Sequence, residues 1–263
     1  MRGGICYRRL TLTVLFMNYH LPNPPLQITK RQHIFPRSGL LRFSERGRLQ
    51  TLNVVTGKIQ WLTPYAAPFV VTRGWDQRSE SAIMSPIERS FGIIAKRILG
   101  GGAITLDIAA HSVISDMYSL WRIRLHRAKN PLPPLPLGMR MERSVSEDAM
   151  DQGEHYGIIT PTFDGKIPGR MIAGPLLQLA LDRQAKIMSG KRWGIVRSKE
   201  GEFVLPDCFG DFMVMPLSPN CCLIADNDDV TVGIEVVSKL NAVAKANSTT
   251  YLVARDFSVC PGI

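Results

Sequence analysis

Paired cysteines, metal-binding motifs and long apolar runs are all missing from this chain, and each gap removes a class of protein. The five cysteines (Cys6, Cys208, Cys221, Cys222, Cys260) form no CxxC pair and no finger spacing. An odd count with Cys221 beside Cys222 argues against a disulfide framework and for reduced thiols. Of that adjacent pair, one is expected in the core and the other as a free thiol. The apolar run Leu10–Met17 behind Arg8 and Arg9 is at the short limit for a signal-peptide core, with no small-x-small site after it. No other run is long enough to span a bilayer. These gaps favour a soluble, cytoplasmic protein with no membrane partner. Residues 1–29 then read as a flexible N-terminal extension, with Met17 a candidate natural start.

Catalytic signatures are equally scarce. GGGAIT follows a helix and lacks both the strand–turn–helix setting and the Lys-Ser/Thr of a phosphate-binding loop, so it reads as a hinge. HExxH, GxSxG and His/Cys zinc spacings are absent, so zinc hydrolysis and serine or cysteine nucleophilic catalysis have no support.

What is present is a folded, basic chain. At 263 residues and 45% hydrophobic it can bury a sizeable core, and it is too apolar for disorder. Its formal charge of +10 favours polyanions. The excess is uneven: residues 1–58 carry ten Lys and Arg against one acid, Glu45. Lys30, Arg31, Arg37, Arg42, Arg46 and Arg48 are therefore the candidate nucleic-acid contacts.

The order of elements gives the fold class. LQTLNVV and KIQWL read as strands split by Thr56-Gly57. SPIERSFGIIAKRIL reads as a helix with Ser85 as N-cap, Pro86 first and Glu88 closing a capping box. Ile87, Phe91, Ile94, Ala95 and Ile98 share its apolar face. A second helix is expected from about Thr105 to Ala128, with Ile108, Val113, Met117, Leu120 and Trp121 inward. Residues 130–138 (NPLPPLPLG) form a stiff connector, and SVSEDAMDQG is a short capped helix. A third long helix lies within 168–189, with Ile172, Leu176, Leu179 and Ile187 as its core side. Short apolar strands, a helix and a closing strand follow. The class is α+β: central helices with short antiparallel strands at the N-terminal end and in the C-terminal third. It forms one domain over 30–263.

The polar residues left for chemistry are His33, Glu80, Glu88, Arg124, Arg170 and Asp207. Carboxylates at Glu80, Glu88 and Asp207 could fix a divalent metal for phosphodiester cleavage, with a neighbour activating water. Each also has a plain structural use. His33 packs or caps a turn, Glu88 closes a capping box, Asp207 is a turn residue after Pro206, and Arg124 and Arg170 pair with Glu80 or Glu88.

These same positions carry a resemblance. QHIFPRSGLLRFSERGRL, ESAIMSPIERSF, MYSLWRIRLHRAKNP, DGKIPGRM and RWGIVRSKEGEFVLPDCFGDFMVMPLSP, in that order, resemble the blocks of a bacterial domain-of-unknown-function family catalogued as number 4238. Its opening signature has two adjacent histidines or Gln-His. Here Gln32 fills the first place, which removes one ligand from a two-histidine metal site. The resemblance implies recurring polar positions at His33, Glu80, Glu88, Leu120-Trp121-Arg124, Arg170 and Asp207, and it brings no established reaction. The expected function is a nucleic-acid-acting effector or toxin of a phage-defence or toxin–antitoxin system. In its catalytic form it is a metal-dependent nuclease, with His33, Glu88, Asp207, Arg124 and Arg170 as the reacting set. The alternative is a non-catalytic nucleic-acid-binding or protein-interaction module. A neutralising protein partner fits a toxin.

Overall fold

The computed structural model describes residues 28–101 and 104–263. The expected N-terminal extension and Cys6 lie outside them, apart from Ile28 and Thr29. The chain begins with β1 (Arg31–His33), α1 (Arg37–Leu41), β2 (Leu49–Asn53), β3 (Ile59–Leu62) and β4 (Val70–Thr72). The helical centre comprises α2 (Gln77–Ser79), a π-turn over Glu80–Met84, α3 (Ser85–Leu99) and α4 (Ile108–Lys129). Then come β5 (Leu135–Pro136), α5 (Glu147–His155), β6 (Lys166–Ile167) and α6 (Ala173–Ile187). The last third holds β7 (Trp193–Ser198), β8 (Leu205–Pro206), β9 (Val214–Ser218), β10 (Cys221–Ala225), β11 (Val230–Val232), α7 (Ile234–Asn247) and β12 (Tyr251–Ala254).

The fold is α+β, as the order of elements implied. There are two four-stranded sheets among the described residues, ordered β11-β7-β10-β9 and β3-β2-β12-β8. Two small ribbons, β1-β4 and β5-β6, complete it. All pairs are antiparallel except β11 with β7. The closing strand β12 sits between β2 and β8, so the C-terminal end of the chain is stitched to its N-terminal hairpin. The Pro-rich connector supplies β5, whose partner β6 precedes α6.

The α3 face is as the periodicity predicts: Phe91, Ile94, Ala95 and Ile98 are buried. Its start is not. The helical stretch begins earlier, where Asp76 caps α2 by accepting the Ser79 N–H at 2.8 Å. Pro86 has no N–H and crowds the carbonyl four residues back, so the chain widens into the π-turn ahead of it. Ser85 is therefore no cap; its hydroxyl donates to the Glu80 carbonyl at 2.8 Å. α4 is capped by Asp107, and Ile108 is 89% exposed rather than core. In α6 the apolar face lies elsewhere than predicted: Ala173, Gly174 and Leu177 are buried, while Leu176, Leu179 and Ile187 face solvent. Gly174 packs where a Cβ would meet the Ser79 hydroxyl and the Asp76 carboxylate, so close approach chose this face. Cys221 and Cys222 are both buried, because β10 is an inner strand covered on both sides.

Backbone contact at Gly194 in β7 generates a test. A Cβ there would lie 2.2 Å from the Asn227 carbonyl oxygen, whereas one at Gly92 in α3 meets nothing within 4 Å. Gly194→Ala is expected to cost about 1–3 kcal/mol. Gly92→Ala should stabilise by about 0.5–1 kcal/mol. Urea unfolding of the two variants beside the wild type checks both signs.

Candidate functional site

The site is built on a buried cation. Arg124, in the last third of α4, has a side chain only 1% exposed. A guanidinium in that setting needs counter-charge. Glu88 of α3 bonds its Nη1, Glu80 of the π-turn lies 3.6 Å from its Nη2, and Nε donates to the Met84 Sδ at 3.3 Å. Its remaining face lies 5.4 Å from the centre of the Trp75 ring. The Trp75 indole N–H in turn donates to Glu80. Glu88 is therefore not a capping-box residue: it joins α3 to α4.

His33 lies at the open edge of this cluster. It is half-buried, at the end of β1. A carbonyl can only accept, so the 3.2 Å contact with the Pro64 oxygen puts the ring proton on Nε2. Nδ1 keeps its lone pair and makes no hydrogen bond with any described residue. Burial pulls the pKa below the ordinary 6.5; the bond to Pro64 and the Glu88 carboxylate pull the other way, while Arg124 and Arg37 reinforce the fall. His33 is neither a turn cap nor sealed among aliphatic side chains. Its neighbour Gln32 is buried: its side-chain amide donates to the Trp75 carbonyl at 2.9 Å and accepts the Trp75 N–H at 3.2 Å. Gln32 thus locks β1 to the residue that carries Arg124.

The rim is cationic and aromatic. The ring of exposed Tyr65 meets that of His33 edge-on, with centroids 5.3 Å apart, and Arg37 sits 5.1 Å above the Tyr65 ring. Arg31 donates to the Tyr65 carbonyl. Arg48 donates to the carbonyl of exposed Trp61 at 3.3 Å. Sequence reading identified these arginines and missed both aromatics; their place beside Pro64 and on an outer strand was the available signal. Arg42 differs from its fellows: it is partly buried and turned to the Leu217 carbonyl at 3.4 Å. Lys30 and Arg46 are exposed.

Two expected members lie elsewhere. Asp207 is fully buried and is no simple turn residue: it accepts from the Thr249 N–H at 2.9 Å, the Thr249 hydroxyl at 2.6 Å and the Lys129 ammonium at 3.0 Å. It ties β8 to the start of β12 and the end of α4. Arg170 bonds Glu154 at 3.1 Å, and Arg73 bonds Glu154 and Asp151, each at 2.6 Å. Arg170 therefore pairs with neither Glu80 nor Glu88. The expected metal set of Glu80, Glu88 and Asp207 is not assembled, since two of its members serve Arg124 and the third serves Lys129. Among the described residues no three His, Cys, Asp or Glu side chains come together as ion ligands.

A polar cavity of about 630 Å³, which sequence reading missed, opens at the other end of α4. It is lined by His111, Arg192, Trp193, Asp228 and Asp229 among others. His111 is 13 residues before Arg124, roughly 20 Å along the helix, so the two sites are separate. Its Nδ1 accepts the Trp193 N–H at 3.0 Å, and burial with Arg192 nearby holds its pKa low.

No family model, curated protein or solved structure matches the chain.

The cluster makes two predictions. Glu80→Gln with Glu88→Gln leaves the Arg124 charge without a carboxylate and should cost about 3–5 kcal/mol; Glu88→Gln alone should cost clearly less. Denaturant titrations of the single and double variants measure the difference. His33 and His111 both titrate below 6.5 when folded, so between that value and their folded pKa the unfolded chain binds more protons. Their contribution to stability is complete above pH 6.5 and is lost as pH falls through the folded values. Unfolding free energies from pH 7.5 to 5 should fall, and His33→Gln with His111→Gln should flatten the fall.

Proposed function

We propose that the protein acts on nucleic acid, gripping a single strand over the rim around His33. One observation carries the reading: each of two exposed aromatics, Tyr65 and Trp61, has an arginine bonded to its own backbone carbonyl. Sequence-tolerant binding of single strands needs these two parts, a ring on which a base can stack and a cation beside it for the phosphate. Arg37 over Tyr65 adds a second cation to the same ring, and Lys30, Arg46 and Lys58 lie on the same basic stretch of chain. Duplexes fit less well, because a stacked base must leave its partner.

What supports an effector, rather than a passive binder, is the placement of a neutral imidazole with a free lone pair beside that ring. The resemblance to the family numbered 4238 draws on the same residues, His33, Glu80, Glu88 and Arg124. Asp207 and Arg170 do structural work in this reading.

Fluorescence anisotropy with single-stranded oligonucleotides at two salt concentrations tests it. Affinity should fall steeply with salt. Tyr65→Ala and Trp61→Ala should each cost about 1–3 kcal/mol of binding. Arg31→Ala should shallow the salt slope by about one phosphate contact. Binding indifferent to salt, or untouched by loss of both rings, defeats the proposal.

A further inference from the structure

We infer that the His33 site cleaves RNA, using the ribose 2′-hydroxyl as nucleophile and His33 Nδ1 as the base. The inference rests on the single-strand reading above and adds a substrate class to it. The tautomer comes first. The Pro64 carbonyl holds the proton on Nε2 and fixes the ring, so the bare nitrogen is Nδ1. An imidazole oriented in this way by an acceptor is set to take a proton.

Charge comes second. The charged groups acting on this imidazole are Glu88 from α3, Arg124 from α4 and Arg37 from α1. Burial chiefly, with the two arginines adding to it, keeps the resting ring neutral, and the Glu88 carboxylate favours the imidazolium that forms when Nδ1 accepts a proton. Geometry comes third. His33 and Arg37 flank one exposed ring, His33 at 5.3 Å between centroids and Arg37 at 5.1 Å. A base stacked on Tyr65 therefore brings its own ribose and phosphate beside a proton acceptor and a cation.

The donor set decides between the two nucleic acids. A lone base works best on a hydroxyl already held beside the phosphate, and among the described residues no three potential ligands converge to fix a water there instead. RNA carries its nucleophile with it, and the 2′-hydroxyl is what distinguishes it from DNA. In the step, the 2′-oxygen bonds to phosphorus while its proton passes to Nδ1, and the bond from phosphorus to the 5′-oxygen breaks. That oxygen takes a proton from water at the open side, and the resulting hydroxide recovers the proton from His33. The products are a 2′,3′-cyclic phosphate and a 5′-hydroxyl, with no co-reactant consumed.

The test uses the full chain, a labelled single-stranded RNA, its all-deoxy counterpart and a chimera with one ribose, all in EDTA. Cleavage of the RNA, and of the chimera at its ribose, with a cyclic phosphate end and an intact all-deoxy strand, is the expected result. His33→Gln, shown folded by circular dichroism, should slow cleavage at least about 100-fold. The wild-type rate should rise through an apparent pKa below 6.5, and Glu88→Gln should move that pKa lower still. RNA bound in a salt-dependent way yet left intact overturns the cleavage and leaves the binding reading standing. Equal cutting of the all-deoxy strand, or an undiminished rate in His33→Gln, also overturns it. RNA neither bound nor cut defeats both readings.

Discussion

The buried guanidinium of Arg124 is the constraint around which the rest is arranged. A cation removed from water is tolerated only where carboxylates and acceptors surround it, so α3, the π-turn and Trp75 must all reach one point. Glu80 and Glu88 are eight residues apart, which a regular helix would set roughly 80° apart around its axis. The π-turn absorbs that difference and brings both carboxylates to the same guanidinium. Pro86 is the reason the turn exists. A residue that reads in sequence as the start of a helix is the device by which two acids share one base.

Trp75 carries the same constraint to the strands. Its backbone is held at both ends by Gln32, its indole N–H serves Glu80, and its ring lies against Arg124. The ribbon of β1 and β4 is short and would have little stability alone. Anchored through Gln32, it places His33 beside Glu88 at a fixed depth. A second buried network extends from the same stretch: Gln77 donates its N–H to Glu154 at 3.0 Å, where Arg73 and Arg170 also converge. Arg73 holds a left-handed backbone at φ 52°, which two carboxylates on its side chain can sustain. Arg170 thus supports the site from behind without reaching it.

Much of the fold was legible because periodicity reports burial when a helix has one covered face. α3 is such a helix, and its core residues follow from spacing alone. α6 broke the rule: its contact depends on the small residues Ala173 and Gly174 approaching the Asp76–Ser79 turn, so its large apolar residues are left outside. Cys221 and Cys222 illustrate the same limit in strands, where alternation fails once both faces are covered. In the site, His33, Glu80, Glu88 and Arg124 stood out by residue type, and the pairing of Arg124 with Glu80 and Glu88 was anticipated, though the place of His33 beside them was not. Asp207 could not be separated from them, since a carboxylate after proline looks the same whether it meets an ion or a lysine brought from 78 residues away. Tyr65 and Trp61 escaped notice because an exposed aromatic repeats at no period, and only its neighbours in the chain, Pro64 for the one and an outer strand for the other, mark it.

α4 also explains why the net charge is informative. Its N-terminal end adjoins a loop bearing Asp226, Asp228 and Asp229, and its last turn carries His126, Arg127 and Lys129. The helix is 22 residues long, about 33 Å, which exceeds the Debye length of about 8 Å at physiological salt. The two ends therefore present independent fields to an approaching ligand. The acids at the first end stand beside Arg192 and Lys191, the latter paired with Asp226, whereas Arg127 and Lys129 crowd the last turn. Both ends hold a neutral imidazole fixed by one backbone bond. At His111 the bonded atom is Nδ1, which accepts from Trp193; at His33 it is Nε2, which donates to Pro64. His111 has therefore spent its lone pair on the fold, whereas that of His33 is bonded by none of the described residues, which is the physical difference between a histidine that holds structure and one whose ring nitrogen is left open.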